Sequence, residues 1–209
     1  MKLTLFGATG KTGLELLEQA LEKGYEVTAY VRTPSKLTQQ NSRLTVKQGD
    51  LSETDKVREA VRGADAVLSA LGPVNNKPQT PLTEGFRVIT DAMQQEGVKR
   101  LILVTGAGVP DPNDEPKFIN HAISTLLKLM AGNVLKDSKG MVEVVKNSAL
   151  DWTIVRVPRL TDKAAQGTVK TGYVGTGPGT QISRADVANF MLEQLKDDTW
   201  LRKAPAISS

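Results

Sequence analysis

A seven-residue segment, Gly7-Ala8-Thr9-Gly10-Lys11-Thr12-Gly13, constrains the fold of this chain more than any other feature. It follows an apolar run at residues 3–6 and precedes leucines at helical spacing, at positions 14, 17 and 21. Glycines let a backbone turn sharply and approach a ligand closely, and the N–H groups of a first helical turn attract anions. The segment therefore predicts a phosphate-binding turn, a variant of the dinucleotide fingerprint. The alternative is a tight strand-to-helix turn without a ligand.

Composition limits the classes of function that this chain can have. Its 209 residues suit one α/β domain over residues 1–209. The net charge of +4 comes from scattered Lys and Arg residues, so we expect no nucleic-acid partner. The chain has no cysteine and one histidine, which excludes thiol chemistry and argues against a metal centre. No apolar stretch is long enough to span a bilayer, and the first apolar run ends too early for a signal peptide. We therefore expect a soluble cytoplasmic protein without a membrane partner.

Strand and helix patterns alternate along most of the chain. The alternation predicts a doubly wound, Rossmann-type parallel sheet that helices cover on both faces. Three polar residues are predicted helix N-caps: Ser52 with Asp55, Thr80 before Pro81, and Ser183 with Asp186. The predicted strands are residues 2–6, 25–31, 44–48, 65–70, 100–104 and 152–157.

Three long loops follow the fourth, fifth and sixth predicted strands, at residues 72–81, 105–116 and 158–168. Because the carboxyl ends of parallel strands form the ligand-binding edge of an open α/β sheet, we expect these loops to surround a substrate. The apolar segment from residue 118 to residue 135 predicts a helix beside that edge. Core packing is its simpler role, and a pocket wall or subunit contact is the alternative.

The residues after the second predicted strand favour NADP(H) over NAD(H). An NAD site typically places a carboxylate there to bind the ribose 2′-hydroxyl, and this chain has none. Instead Arg32 can pair with a 2′-phosphate, and Lys36 can complete the pocket. A solvated basic loop is the alternative. Asp50, after the third strand, is placed either to accept from the adenine amino group or to cap the helix near Ser52.

The catalytic pair of ordinary short-chain dehydrogenases is missing. Those enzymes place a Tyr and, four residues later, a Lys on one helix face to protonate a carbonyl. Four residues after Tyr25, Tyr30 and Tyr173 this chain has Ala, Pro and Gly. A flat conjugated acceptor, such as a flavin or tetrapyrrole, needs less help because its ring system spreads the charge that a hydride brings.

The whole set of motifs resembles the atypical short-chain dehydrogenase/reductase family, in particular its biliverdin/flavin reductase branch, and more loosely the NmrA-like regulators. The resemblance rests on the glycine turn, Arg32 with Lys36, and the segments at residues 49–51, 70–72, 105–107, 150–156 and 182–188. It implies pyrophosphate contacts from the glycine turn, 2′-phosphate contacts from Arg32 and Lys36, and adenine contacts from Asp50 and Leu51. The predicted cofactor-binding residues are Gly7, Thr9, Gly10, Lys11, Thr12, Gly13, Arg32, Lys36, Asp50, Leu51, Leu71, Gly72, Thr105 and Pro158.

Two departures from the family pattern affect the reacting end of the cleft. Biliverdin/flavin reductases have a Ser where this chain has Gly106, and a His where it has Arg159. Thr105 could supply the missing hydroxyl, and Arg159 could attract an anionic acceptor, so the candidate catalytic residues are Thr105, Gly106 and Arg159. His121 is a weaker candidate for a general acid, and a surface or packing role is its alternative.

Two hypotheses for the function follow. The first is an NADPH-dependent reductase of a flat conjugated small molecule, namely a flavin, a quinone or a biliverdin-like compound. The second is a non-catalytic NADP(H) sensor that binds a protein partner, which the loss of the serine at Gly106 suggests. The sequence leaves homodimer formation open.

Overall fold

The structure is a computed structural model that describes residues 1–73, 75–115 and 118–209, with the side chains of residues 118–130 outside the described part. Five helices are described in these ranges, and a short 3-10 turn covers Pro34–Lys36. The helices are α1 Lys11–Glu22, α2 Thr54–Val61, α3 Pro81–Gln95, α4 Phe118–Lys146 and α5 Arg184–Glu193. The strands are β1 Lys2–Phe6, β2 Glu26–Val31, β3 Leu44–Gln48, β4 Ala66–Ser69, β5 Arg100–Gly106, β6 Asp151–Val157, β7 Arg159–Thr161, β8 Lys170–Gly172, β9 Gln181–Ser183 and β10 Ala206–Ser208.

The large sheet has the order β3-β2-β1-β4-β5-β6-β10-β8, and the first six of these strands are parallel. This confirms the predicted Rossmann-type doubly wound sheet. The six strands that the sequence predicts match β1–β6 to within two residues at each end. The central positions of β1, β2, β4, β5 and β6 are largely buried on both faces, as expected for parallel strands between two helix layers, whereas the edge strand β3 is half-buried or exposed along its length.

Four three-residue strands, β7–β10, are absent from the sequence prediction. β10 extends the large sheet beyond β6, and β8 pairs with β10 in the antiparallel direction. The sheet is therefore mostly parallel, with one antiparallel pair at the β8 edge. β7 and β9 form a separate parallel pair at the carboxyl edge of β6. Strands this short carry no readable periodicity, so tertiary contacts determine them.

Helices cover both faces of the sheet and define two hydrophobic cores. On one face α1 packs against α5, with Leu16 and Leu17 of α1 and Val187 and Met191 of α5 completely buried. On the other face α2, α3 and the second half of α4 form the core. The predicted helix at 118–135 is confirmed as the start of α4, which contains a break at Ala131 (φ −140°, ψ 37°). Within the described residues, no helix is both long and apolar enough to cross a bilayer.

The three predicted N-caps have different outcomes. Ser183 caps α5 as predicted, because its hydroxyl oxygen accepts the Asp186 N–H at 3.0 Å. The Ser52 prediction is wrong, since α2 begins at Thr54 and the Ser52 hydroxyl instead donates to Asp50. Thr80 does occupy the N-cap position of α3, but its side chain makes no capping hydrogen bond.

A residue from another helix caps α3 instead. The buried carboxylate of Asp137, on α4, accepts the backbone N–H groups of Leu82 and Thr83 at 3.0 and 2.9 Å. It also accepts the Thr83 hydroxyl at 2.8 Å. An anion at a helix N-terminus satisfies its free N–H groups and favours the helix dipole. This contact fixes the second half of α4 against the start of α3, beside the fourth-strand loop.

Candidate cofactor and acceptor cleft

The glycine turn between β1 and α1 has no room for side chains. Gly7 has φ +81°, and a Cβ there would lie 2.8 Å from the backbone carbon of Ala70. A Cβ on Gly13 would lie 2.0 Å from the carbonyl oxygen of Gly7. The Gly10 N–H donates to that same carbonyl at 3.0 Å and closes the turn. These contacts bring the turn against residues 70–71 after β4 and keep its outer surface open to a ligand.

The first turn of α1 presents free donors at this surface. The backbone N–H groups of Lys11, Thr12 and Gly13 have no acceptor among the described residues. The helix dipole adds positive potential at the same point, so the turn fits a pyrophosphate. The Lys11 side chain, by contrast, is engaged by the protein, since its Nζ lies 2.7 Å from Oδ2 of Asp162.

A cationic surface follows β2. Arg32 and Lys36 are both exposed, with the 3-10 turn Pro34–Lys36 between them, and neither forms an ion pair with another described residue. No carboxylate stands in this segment to accept a ribose hydroxyl. The surface after β2 is therefore cationic, which suits an anionic group.

Asp50, between β3 and α2, has a defined structural role. Its Oδ1 accepts the backbone N–H and the hydroxyl of Ser52 at 3.1 and 3.0 Å, and its own N–H donates to Glu53. These hydrogen bonds from Ser52, together with the positive charge of Arg32, lower the pKa of Asp50 although its burial opposes them. The carboxylate therefore orders the entry to α2, while its contact with adenine remains a prediction.

Tyr30 supports the same corner of the site. Its hydroxyl donates to the carbonyl of Asp50 at 2.8 Å, and its ring packs on Phe6 at a centroid distance of 5.5 Å. Burial and the nearby Glu53 and Asp50 charges raise the pKa of Tyr30 to about 12. The phenol is thus a neutral structural donor that holds the residues after β3 in place.

A cleft of about 470 Å³ opens from the glycine turn along the carboxyl edge of β4, β5 and β6. Most of its surface is apolar, and the polar side chains among its described lining residues are Thr12, Thr105, Ser138 and Arg184. The other lining residues are Ala70, Leu71, Gly72, Pro73, Leu82, Val104, Gly106, Gly108, Val109, Ala131, Val134, Leu135, Met141, Val157, Pro158 and Leu160. The structure thus brings together the predicted site residues Thr12, Leu71, Gly72, Thr105, Gly106 and Pro158.

Thr105 and Gly106 end β5 at the floor of the cleft. The Thr105 side chain is buried, and its hydroxyl has no hydrogen-bond partner among the described residues. A Cβ at Gly106 would meet nothing closer than 4.0 Å, so the position leaves open space. The end of β5 therefore offers one hydroxyl beside a position that a side chain could fill.

One buried and one half-buried ion pair hold the loop after β5 as a wall of the cleft. The guanidinium of Arg156, on β6, donates to both carboxylate oxygens of Asp114 at 2.7 Å and to the carbonyl of Val109 at 3.1 Å. Asp111 accepts from Lys146 of α4 at 2.8 Å. Since Val109 lines the cleft, these contacts fix its wall to the sheet and to α4.

Arg159 does not lie where the sequence prediction requires it. It is exposed and is not among the residues that line the cleft, because it begins β7 and that strand pairs with β9. A different cation, Arg184 at the start of α5, lines the cleft instead. Neither Arg184 nor the buried Ser138 is predicted from the sequence as a cleft residue. The segment 182–188 contains Arg184, but nothing in its spacing indicates which way the side chain points.

Other sequence candidates lie away from the described cleft or outside the described side chains. His121 belongs to α4 in the part whose side chains are not described, so its role is not addressed by the structure. The side chains of Arg32, Lys36 and Asp50 lie at the β2–β3 end of the same sheet edge, as expected for the adenosine half of a dinucleotide. The second half of the predicted helix at 118–135 supplies cleft residues Ala131, Val134 and Leu135, which favours the pocket-wall alternative.

Comparisons with known proteins agree with this geometry. A protein-family model described as NAD(P)H-binding matches residues 7–198. The chain is 26% identical over 209 residues to the uncharacterised protein YwnB of Bacillus subtilis, covering 94% of this chain and 92% of YwnB. The family-model match agrees with the NAD(P)H-binding part of the resemblance found in the sequence.

Two solved structures are similar in fold. A short-chain dehydrogenase/reductase of Veillonella parvula in complex with NADP superposes with a TM-score of 0.82 at 20% identity, covering all of this chain and 94% of that one. The anaerobillin reductase ChuY of Escherichia coli O157:H7 has a TM-score of 0.79 at 24% identity, covering all of this chain and 97% of that one. At these identities the likeness concerns the fold.

Proposed function

Since this chain belongs to the NAD(P)H-binding family, we propose that it is an NADPH-dependent reductase of a flat conjugated small molecule. Residues 1–209 act as one domain, with the loops after β4, β5 and β6 forming the acceptor site. The observation that carries the proposal is the apolar cleft that continues from the glycine turn past Thr105 and Gly106.

The preference for NADPH is supported by the surface after β2. Arg32 and Lys36 supply two positive charges at the predicted ribose position, and a 2′-phosphate carries the complementary charge. The solved Veillonella parvula relative holds NADP. The pyrophosphate accepts hydrogen bonds from the free N–H groups of Lys11, Thr12 and Gly13. Leu71 and Gly72 lie beside the ribose and the phosphates.

The chemistry of the cleft restricts the acceptor. When bound, NADPH supplies a hydride from its nicotinamide ring. Among the described lining residues there is no Asp, Glu, His, Lys or Tyr, so these residues supply no general acid. A flavin, quinone or biliverdin-like compound spreads over its rings the charge that the hydride brings, and it takes from water the one proton that completes the reduction. Thr105 and Ser138 orient such a ring by hydrogen bonding, and the apolar walls exclude bulk water from its faces.

The decisive experiment is an assay of NADPH oxidation with a panel of riboflavin, FMN, a quinone and biliverdin. We expect turnover with at least one member, and slower turnover when NADH replaces NADPH. A simple ketone or aldehyde serves as the control, and it should not react because it needs a proton donor, which the described lining residues do not supply. Complete inactivity across the conjugated panel would argue against a reductase.

The second candidate function is an NADP(H) sensor that binds a protein partner. It is supported by the open space at Gly106, where a serine of the reductases is missing, and by the absence of an acid among the described cleft residues. Tight NADP(H) binding without turnover, together with a partner whose affinity depends on the cofactor, would favour it over the reductase.

A further inference from the structure

Three charged side chains from distant parts of the chain meet beside the glycine turn. Lys11 begins α1, Asp162 follows β7, and Arg184 begins α5. One carboxylate oxygen of Asp162 accepts from Lys11 Nζ at 2.7 Å, and the other accepts from a terminal nitrogen of Arg184. Asp162 therefore places an anion between a cation of the glycine turn and a cation of the cleft.

Asp162 is held in this position by the fold on both sides. Before it, β7 pairs with β9, which aligns Thr161 with Ser183, the residue preceding Arg184. After it, the buried carboxylate of Asp186 accepts the backbone N–H groups of Gln166 and Gly167 at 3.0 and 3.1 Å. The segment between these two anchors crosses the start of α5, so the meeting of Asp162 with Arg184 follows from the tertiary structure.

Arg184 differs from Lys11 in its surroundings. Its side chain is 21% exposed against 69% for Lys11, and it is the one charged group among the described residues that line the cleft. A guanidinium has five N–H donors, and Asp162 is the acceptor that the structure gives it. A partly buried cation in an apolar cleft has unused donors and favours a second anionic partner.

We propose that Arg184 binds an anionic substituent of the acceptor, a carboxylate or phosphate, and that Asp162 pairs with the guanidinium when no such group is bound. The inference rests on the proposed reductase function and narrows its acceptor to an anionic conjugated molecule. The cofactor pyrophosphate is the other source of an anion near Asp162. Lys11 lies in the glycine turn and outside the cleft lining, so we assign it to the pyrophosphate. Arg184 lines the cleft with Pro158 and Leu160, so we assign it to the acceptor.

The test compares FMN with riboflavin, which differ by one phosphate group. Binding of each flavin to the NADP⁺-loaded protein is measured by flavin fluorescence, so that no turnover is required. We expect the wild type to bind FMN more tightly than riboflavin. Arg184→Met should lower the affinity for FMN by about tenfold or more, the range for a charge-assisted contact. Riboflavin affinity should change less than about twofold. Lys163→Met, which removes an exposed cation next to Asp162, is the matched control and should leave both affinities unchanged.

Two further variants test the parts played by the guanidinium and by Asp162. Arg184→Lys keeps the charge and loses the forked donor geometry, so we expect an intermediate loss of FMN affinity. Asp162→Asn removes the competing anion and should strengthen FMN binding. Equal losses for both flavins in Arg184→Met, or weaker NADP⁺ binding in that variant, would assign Arg184 to the cofactor and overturn the proposal.

Two outcomes separate this inference from the proposed function. A wild-type protein that prefers FMN but oxidises no NADPH would support the anion site and reject the reductase. A wild-type protein that reduces riboflavin and FMN equally well, with no difference in binding, would support the reductase and reject the anion site. Failure to bind either flavin would also reject the anion site as assigned.

Discussion

Arg156 and Asp114 are joined by two parallel hydrogen bonds of 2.7 Å, with 1% and 10% of their side chains exposed. The strand β6 supplies the guanidinium and the loop after β5 supplies the carboxylate. Through this pair the cleft wall is fixed to the centre of the sheet. Removing one partner leaves an uncompensated buried charge, which costs far more than the pair contributes in total.

We expect Asp114→Asn to lower the free energy of unfolding by about 3 kcal/mol or more, because the Arg156 charge then stays buried without a counterion. Chemical denaturation measures the change. Asp55→Asn is the control, since Asp55 is 94% exposed and its contact with Arg58 is 4.0 Å long. That variant should change stability by less than about 0.5 kcal/mol. Similar losses for both variants would contradict the assigned role.

Stability should also depend on acidic pH. Burial is the largest single influence on Asp111 and Asp114 and tends to raise the pKa of each. The side-chain hydrogen bonds and positive charges of Lys146 and Arg156, together with further hydrogen bonds from neighbouring residues, outweigh burial in sum and lower the pKa of each carboxyl. The two carboxyl groups therefore bind protons less readily in the folded protein than in the unfolded chain. Their contribution to the free energy of unfolding is complete above the ordinary carboxyl pKa of about 4 and is lost as the pH falls below that value. Denaturation across a pH series should show this loss, with a shallower dependence in Asp114→Asn.

Asp137, not Thr80, should stabilise the start of α3. Asp137→Ala removes the acceptor of the Leu82 and Thr83 N–H groups, and we expect a loss of about 1–3 kcal/mol, the range for buried donors left unpaired. Thr80→Ala should cost less than about 0.5 kcal/mol, because the Thr80 side chain makes no capping bond. Thermal and chemical unfolding measure both. A larger loss for Thr80→Ala would restore the capping role predicted from the sequence.

The glycines of the turn should differ sharply in their tolerance of alanine. In Gly13→Ala the new Cβ would approach the Gly7 carbonyl to 2.0 Å, so we expect a stability loss of at least about 2 kcal/mol and loss of cofactor binding. At Gly10 the nearest atom is 3.5 Å away and the backbone is extended, so Gly10→Ala should fold with nearly wild-type stability. Melting curves compare the two. Equal stability would mean that the turn relaxes around Gly13.

Arg32 should decide which nicotinamide cofactor is bound. We expect Arg32→Ala to weaken the binding of NADPH by on the order of 1–3 kcal/mol, the range for a charge-assisted contact. The affinity for NADH should change little. Titration of each cofactor measures this difference. Arg87→Ala, which removes an exposed arginine on α3 that pairs with Glu84, is the control. Equal losses for NADPH and NADH would refute a 2′-phosphate contact.

The sequence by itself determined the six central strands, the helices between them and the glycine turn. These elements depend on local periodicity and on the absence of side chains at Gly7 and Gly13, so they can be read without knowing what they touch. The placement of Arg32 and Asp50 at one sheet edge follows directly, because both residues come just after strands whose carboxyl ends share that edge.

Only the tertiary structure decided the acceptor half. Arg159 and Arg184 are both cations in the last third of the chain, and nothing in their neighbours distinguishes the exposed one from the one in the cleft. The pairing of β7 with β9 makes that distinction, and a three-residue pairing between segments twenty residues apart has no signature in local sequence. The capping of α3 by Asp137 arises in the same way, since the acceptor and the N–H groups it satisfies are separated by more than fifty residues and meet only when the helices pack.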